Sequence, residues 1–326
     1  MAQIVFLISM HRSGSSLVAR GLECCEVTLG QSLMPGQPDN PKGFFEDTRV
    51  SSLNERILTI MDYQWSLIGT EPKVLHKNEL KDLTKKATSL LKSKVGESES
   101  DLSVGIKDPR LCRLAEFWFS ICEEVSLPYN VIFLVRDHNE VSQSLYKRNN
   151  IPFEAGYALW LDYLFVATKQ LRNTEMLFIQ LDSFCESIDT HTHAIADFLG
   201  NKVDLTELNT YIEEFYEERM LHKAEVINPI KSPTYKFITT LQSGFVLSKK
   251  DVTKLHALCT REKQTKPALK GYLAQLNWHR VAESQALRES IYAYESKIDK
   301  LKLELNSYIQ KSVDNIEELR KNILEE

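Results

Sequence analysis

The sequence predicts an α/β fold: a P-loop-like parallel sheet flanked by helices, followed by a helical C-terminal region. Three observations carry that reading. Four short apolar runs, Ile4 to Ile8, Leu102 to Ile106, Val131 to Val135 and Met176 to Leu181, have the length and continuity of strands buried on both faces. Amphipathic stretches separate the runs, as crossover helices between parallel strands require. A Gly/Ser loop, Ser9-Met10-His11-Arg12-Ser13-Gly14-Ser15-Ser16, follows the first run and opens onto the apolar stretch Leu17 to Leu22.

Helical spacing predicts helices over Ser15 to Cys25, Thr48 to Asp62, Lys77 to Lys94, Leu114 to Val125, Glu140 to Arg148, Phe153 to Leu171 and Ile188 to Leu199, with Gly200 closing the last. Between Val27 and Phe45, the residues Gly30, Pro35, Gly36, Pro38, Asn40, Pro41 and Gly43 exclude regular structure and predict a long loop near the Gly/Ser turn. From Glu207 the chain reads as all helix, interrupted at Asn228 to Pro233. Leu287, Ile291, Tyr294, Ile298, Leu301, Leu305 and Tyr308 then alternate by four and three, a heptad seam whose phase slips before Ile316, Leu319 and Ile323. Residues 1–205 are therefore expected to form the core, 206–284 a helical extension packed on it, and 285–326 a coiled-coil helix able to self-associate or bind a partner helix.

The chain has 326 residues, 43% hydrophobic and 26% charged, which is globular usage and excludes collagen-like or wholly disordered classes. Its net charge of −5 provides no global basic field for nucleic acid, so any anion site must be local. Six cysteines are scattered without disulfide-scaffold or metal-knuckle spacing and read as reduced core thiols. The first apolar run is too short for a signal-peptide core, and no run approaches the ~20 residues of a membrane span, so a cytoplasmic protein is expected.

Strand, short Gly/Ser loop and helix make a geometry in which backbone N–H groups and a helix N-terminus converge on an oxyanion. A nucleoside triphosphatase needs G-x-x-x-x-G-K-(S/T). Here Ser9 replaces the first Gly, Ser15 stands at the Lys position, and Arg12 is the only cation in the loop. A second element lies further on. Val131 to Val135 lead into Arg136, Ser144 follows eight residues later, and Arg148 one turn after that. An Arg at a strand end and a hydroxyl on the next helix can face one phosphate, although either alone reads more readily as a solvated surface residue than as a phosphate ligand.

Together these segments resemble sulfotransferases that use 3′-phosphoadenosine 5′-phosphosulfate (PAPS), particularly the bacterial sulfotransferase-family proteins. Arg12-Ser13-Gly14-Ser15-Ser16 matches the family's 5′-phosphosulfate loop, and Arg136 with Ser144 matches its 3′-phosphate motif, with His138 where Pro is common. Asn40-Pro41-Lys42-Gly43-Phe44-Phe45-Glu46-Asp47, Lys107-Asp108-Pro109-Arg110, and Leu181-Asp182-Ser183-Phe184 followed by Asp197 to Gly200 resemble three further family segments. The resemblance covers about residues 3 to 200.

The resemblance implies a sulfotransferase fold and transfer of a sulfuryl group from PAPS to an acceptor hydroxyl, with a carbohydrate or cell-surface glycan as the leading acceptor and no metal. It assigns donor binding to Arg12, Ser13, Gly14, Ser15, Ser16, Arg136, Ser144 and Arg148, with Lys107 and Arg110 adding positive charge. Arg12 would also stabilise the leaving phosphate. The general base is expected to be Glu46, with His11 second; Glu46 or Asp47 reads equally as a helix cap, and His11 as structural. Phe44, Phe45, Trp65, Trp118 and Trp160 could stack a sugar or fill the core. Two other classes compete: a P-loop nucleotide-dependent kinase, and a non-catalytic coiled-coil scaffold with a nucleotide-binding domain.

Overall fold

The run Ile4–Ile8 leaves no side chain for solvent, and in the computed structural model it forms β1 at the interior of the sheet, with all five residues fully buried. The structure describes residues 3–36, 40, 42–66, 68, 76–98, 102–215, 229–265, 297–298, 300–302 and 304–312. The chain divides into two compact units, Met1–Leu273 and Ala274–Glu326.

In the first unit the chain runs from β1 through α1 (Ser15–Glu23), β2 (Val27–Thr28), α2 (Thr48–Ile60), α3 (Lys77–Glu97), β3 (Ser103–Lys107), α4 (Leu111–Glu124), β4 (Tyr129–Val135), α5 (His138–Asn149) and α6 (Phe153–Gln170). It continues through β5 (Met176–Gln180), α7 (Leu181–Glu186), α8 (Ile188–Leu199), α9 (Leu205–Thr210), a π-helical turn at Tyr211–Phe215, α10 (Pro233–Ile238), β6 (Phe245–Val246) and α11 (Lys249–Thr265). The sheet order is β2-β3-β1-β4-β5-β6, with β1 parallel to both neighbours, Phe6 facing Ile106 on one side and Val131 on the other. The loops leaving the C-terminal ends of β1, β3 and β4 therefore meet, at the end of an open parallel sheet where ligands bind.

The core follows from the apolar runs. Val5 and Leu7 of β1, Ile132 and Leu134 of β4 and Ile179 of β5 pack with Leu17, Val18 and Leu22 of α1. All six cysteines are buried and none is in a disulfide; burial pushes the thiols of Cys25, Cys112, Cys122 and Cys185 up to about 12, so they stay protonated as small core groups. Among the described residues no helix is long and apolar enough to cross a membrane.

The α/β architecture is as the sequence predicts, with three local differences. The expected strand ending at Leu181 stops at Gln180, and Leu181 instead starts α7. Val27–Thr28, inside the stretch expected to be irregular, pairs with β3 as a two-residue edge. The all-helical reading of 206–284 fails at β6, which pairs antiparallel with β5, Phe245 opposite Phe178. Gly244, at φ +83°, donates its N–H to Phe178 O, and Leu247 N–H donates to Met176 O. The backbone alone makes this edge, and because Phe245 and Val246 are exposed, no apolar alternation announces it.

In the second unit, residues 297–298, 300–302 and 304–312 are helical and exposed. They carry Ile298, Leu301, Leu305 and Tyr308 of the expected seam. Leu287, Ile291, Tyr294, Ile316, Leu319 and Ile323 lie outside the described residues.

Candidate functional site

The loop between β1 and α1 turns through two left-handed residues, Arg12 at φ +65° and Gly14 at φ +75°. Gly14 is required on two counts. The conformation disfavours a side chain, and a Cβ there would come within 2.5 Å of Leu181 Cδ2. Among the described residues no side chain caps α1; Leu17 N–H is taken by Gly14 O, so the amides of Ser15 and Ser16 and the positive dipole end are left for an anion. A non-glycine residue held in the left-handed region, as Arg12 is, carries strain that the surrounding structure must sustain.

The loop is tied to the β4–α5 element. Arg12 Nε–H donates to Ser144 Oγ at 2.7 Å, and Arg136 Nη1–H donates to Arg12 O at 3.1 Å. Arg136 is itself aimed: Glu140 accepts from Nε at 2.8 Å, and Trp160 Nε1–H donates to Arg136 O at 3.2 Å. Asp137 caps α5 by accepting from the backbone amides of Asn139 and Glu140. A strand, a capped helix and an ion pair one turn apart thus set Arg136 and Ser144 beside the loop.

The segment 44–46 closes the other side. Ser16 Oγ donates to Phe44 O at 3.3 Å, and Lys107 Nζ donates to both Phe44 O and Glu46 Oε1, each at 2.7 Å. Lys107 and Glu46 are both buried. Ser51 Oγ–H donates to Asp108 Oδ2 at 2.8 Å and lies 3.4 Å from Glu46 Oε2. Phe45 holds φ +54°, a second strained non-glycine residue at this site. Arg110 pairs with Glu55 at 2.6 Å and with Asp108 at 3.2 Å. Arg148 lies over the Phe44 ring, 5.7 Å from its centroid.

Asp47, next to Glu46, caps α2 by accepting from Arg49 N–H and Val50 N–H. Its other oxygen accepts from buried Lys94 Nζ at 2.8 Å, and Lys94 also donates to Leu29 O at 3.0 Å. One ammonium therefore fastens both ends of the 29–47 loop. Burial alone would raise the Asp47 carboxyl, but the hydrogen bonds from Arg49 and Lys94 outweigh it and hold the group down at about 2.

His11 projects from the same loop. Its Nε2 is buried and has no hydrogen-bond partner among the described residues. Burial, reinforced by the positive charges of Arg110, Lys107, Arg148 and Arg113, holds the imidazole well below its ordinary 6.5, so it is neutral at pH 7.

The structure thus brings together His11, Arg12, Ser13, Gly14, Ser15, Ser16, Glu46, Lys107, Arg110, Arg136, Ser144 and Arg148, the residues the sequence offers for donor binding and catalysis, whereas Trp118 and Trp160 of the candidate stacking aromatics lie in the core. It also adds residues the sequence reading omits. Glu140 and Lys94 have no motif around them. Arg113, buried on α4, sits against the rings of Tyr63 and Tyr163, and its only signal is an Arg inside an otherwise apolar helical face. Among the described residues no group of three or more His, Cys, Asp or Glu is placed to hold a metal ion.

No protein-family model matches the chain, and no curated protein matches it. Among solved structures the chain is similar to the sulfotransferase domain from the curacin biosynthetic pathway, at 16% identity and a TM-score of 0.43, over 80% of this chain and 98% of that one. It is also similar to the sulfotransferase domain from the Synechococcus PCC 7002 olefin synthase, at 15% identity and a TM-score of 0.39, over 78% of this chain and 88% of that one.

Proposed function

We propose that the protein is a PAPS-dependent sulfotransferase that sulfates an acceptor hydroxyl, with a carbohydrate or glycan as acceptor. The observation that carries this reading is the junction of Arg12, Ser144 and Arg136, with Arg12 Nε 2.7 Å from Ser144 Oγ and Arg136 Nη1 3.1 Å from Arg12 O. Two sequence-distant groups of phosphate-type donors share one site. That suits a ligand with anions at both the 3′ and 5′ positions of its ribose, whereas a nucleoside triphosphate, anionic at the 5′ position only, leaves the Arg136–Ser144 arm without purpose.

In this reading the uncapped amides of α1 with Ser13, Gly14, Ser15 and Ser16 hold the 5′-phosphosulfate, and Arg136 and Ser144 hold the 3′-phosphate, with Arg148 nearby. Arg12 stands between the two groups and stabilises the charge that develops on the leaving phosphate. Lys107 and Arg110, fixed by Glu46, Asp108 and Glu55, contribute positive potential at the sulfuryl group.

The acceptor proton goes to His11 Nε2. The ring is neutral at pH 7, and in its Nδ1–H tautomer Nε2 offers a buried lone pair that meets no hydrogen-bond partner among the described residues. Glu46, the first choice from sequence, already accepts from Lys107 and serves to hold that ammonium. The acceptor oxygen then bonds to sulfur as the bond from sulfur to the phosphate oxygen breaks, releasing a sulfate ester and 3′-phosphoadenosine 5′-phosphate. Residues 285–326 add self-association through their heptad seam.

The test is calorimetric titration with 3′-phosphoadenosine 5′-phosphate, with ATP plus Mg²⁺, ADP and adenosine 5′-phosphosulfate as controls. Micromolar binding that requires the 3′-phosphate is expected. A preference for ATP with Mg²⁺ would support the kinase alternative and overturn the proposal.

A further inference from the structure

His11 stands against two rings, the Trp65 indole at 4.7 Å between centroids and the Tyr163 phenol at 5.8 Å, edge-on. Of the five aromatics the sequence offers as sugar platforms, Trp118 and Trp160 are core residues and Phe44 is buried beneath Arg148. Phe45 packs against the hydrophobic core cluster. Trp65 is only half-buried, and it is the one whose ring meets the imidazole.

Its backbone is locked in place. Tyr163 O–H donates to Trp65 O at 2.7 Å. Two residues earlier the Tyr63 ring meets the buried Arg113 guanidinium, which also lies over the Tyr163 ring, each centroid 4.3 Å from it. Arg113 Nη1–H donates to Tyr63 O–H, and Nη2–H donates to Asp162 Oδ2 at 3.1 Å. Burying a guanidinium in this way is costly unless every partner is in place, and here the arrangement fixes residues 63–65 beside the loop. The result is a fixed indole, open on part of its surface, beside a buried imidazole nitrogen that has no hydrogen-bond partner among the described residues.

We propose that Trp65 is the acceptor platform and sets acceptor specificity. The apolar face of a pyranose ring lies on the indole, and a hydroxyl at the ring edge reaches His11 Nε2. Arg113 is a positioning residue that acts through Tyr63 and Tyr163. An indole is a large, stiff apolar surface that selects for a flat ring over a flexible chain, while the charged groups around His11 suit a ligand with several hydroxyls. This inference rests on the sulfotransferase reading and deepens it.

The test uses the full chain with isotopically labelled tryptophan and histidine, the Trp65 and His11 resonances being assigned with W65F and H11N. The protein is loaded with 3′-phosphoadenosine 5′-phosphate and titrated with methyl β-D-glucopyranoside, and separately with n-hexanol. The pyranoside is expected to shift both resonances saturably, and Trp65→Leu to weaken this binding by about tenfold or more while the nucleotide still binds as in wild type. Hexanol is expected to shift neither. A pyranoside that moves neither signal, hexanol acting equally, or Trp65→Leu binding the sugar like wild type would overturn the proposal and leave the donor reading standing. Failure of the nucleotide itself to bind would remove both.

Discussion

Arg12 Nε lies 2.7 Å from Ser144 Oγ, across 132 residues of sequence. In that geometry the loop after β1 and the helix after β4 adjoin, and their proposed role in donor binding can be tested through either. Ser144→Ala removes a single hydroxyl partner and is expected to weaken 3′-phosphoadenosine 5′-phosphate binding by about 1.5 kcal/mol, roughly tenfold. Arg136→Ala, which removes a charged group and its hold on Arg12 O, is expected to cost about 2 kcal/mol or more. Calorimetry with adenosine 5′-phosphate as the comparison ligand checks the assignment, because both losses should shrink when the 3′-phosphate is missing.

The strands and the Gly/Ser loop were legible in the sequence because both are local. A continuous apolar run has few ways to be buried, and Gly14 followed by small residues has few reasons to stand between a strand and a helix. The positions of Arg136 and Ser144 were legible through spacing on one strand–helix unit. The restraints that hold the site were not. Lys94 reaches Asp47 from α3, Arg113 is packed against Tyr63 and Tyr163, and β6 rests on backbone hydrogen bonds at Gly244 and Leu247. Each depends on contacts distant in sequence with no periodicity of its own. The sequence names Glu46 before His11 as base, and the proposal of His11 rests on contacts that sequence does not carry: Lys107 pairs with Glu46, and His11 Nε2 has no hydrogen-bond partner among the described residues.

If His11 is the base, as proposed, its imidazole sets the pH dependence. A base held below its ordinary 6.5 by burial and by Arg110, Lys107, Arg148 and Arg113 is available throughout the neutral range. Turnover is therefore expected to be flat around pH 7, with an acid limb that falls only below 6.5, as protonation removes the lone pair. His11→Asn is expected to lower turnover by about 100- to 10,000-fold while nucleotide affinity changes little. A limb centred at or above 6.5 would exclude this imidazole as the group titrating.

Lys94 and Asp47 make a buried pair that closes the 29–47 loop. Lys94→Met leaves the carboxylate without its buried cation and is expected to destabilise the protein by about 3 to 5 kcal/mol in urea unfolding. The pair also has a pH signature. Asp47 is held at about 2 against its ordinary 3.8, so the folded state binds that proton less readily than the unfolded chain. Its contribution is complete above pH 3.8 and is lost as pH falls from there towards 2. In Asp47→Asn that portion of the acid destabilisation should disappear.

The exposed Ile298, Leu301, Leu305 and Tyr308 give the second unit an apolar stripe with the three–four spacing of a coiled coil. If that stripe joins two copies, light scattering of the full chain should give twice the chain mass, and Leu301→Glu with Leu305→Glu should return it to a monomer. An identical mass for the wild type and the double variant would exclude self-association through this stripe.

Glu46 and Lys107 provide the decisive comparison for the base. Lys107 Nζ sits 2.7 Å from Glu46 Oε1 and 2.7 Å from Phe44 O, with both side chains nearly excluded from solvent. Glu46→Gln keeps the shape but removes the charge that holds the ammonium. If Glu46 positions Lys107, turnover is expected to fall by about tenfold to a hundredfold as the cation loses its fixed geometry, and the acid limb due to His11 should survive at its wild-type position. If Glu46 were the base, its loss would remove the limb itself, and His11→Asn would leave one behind. Measuring turnover against pH for the wild type, Glu46→Gln and His11→Asn separates the two, because a positioning residue changes the height of the profile, whereas a base determines where it bends.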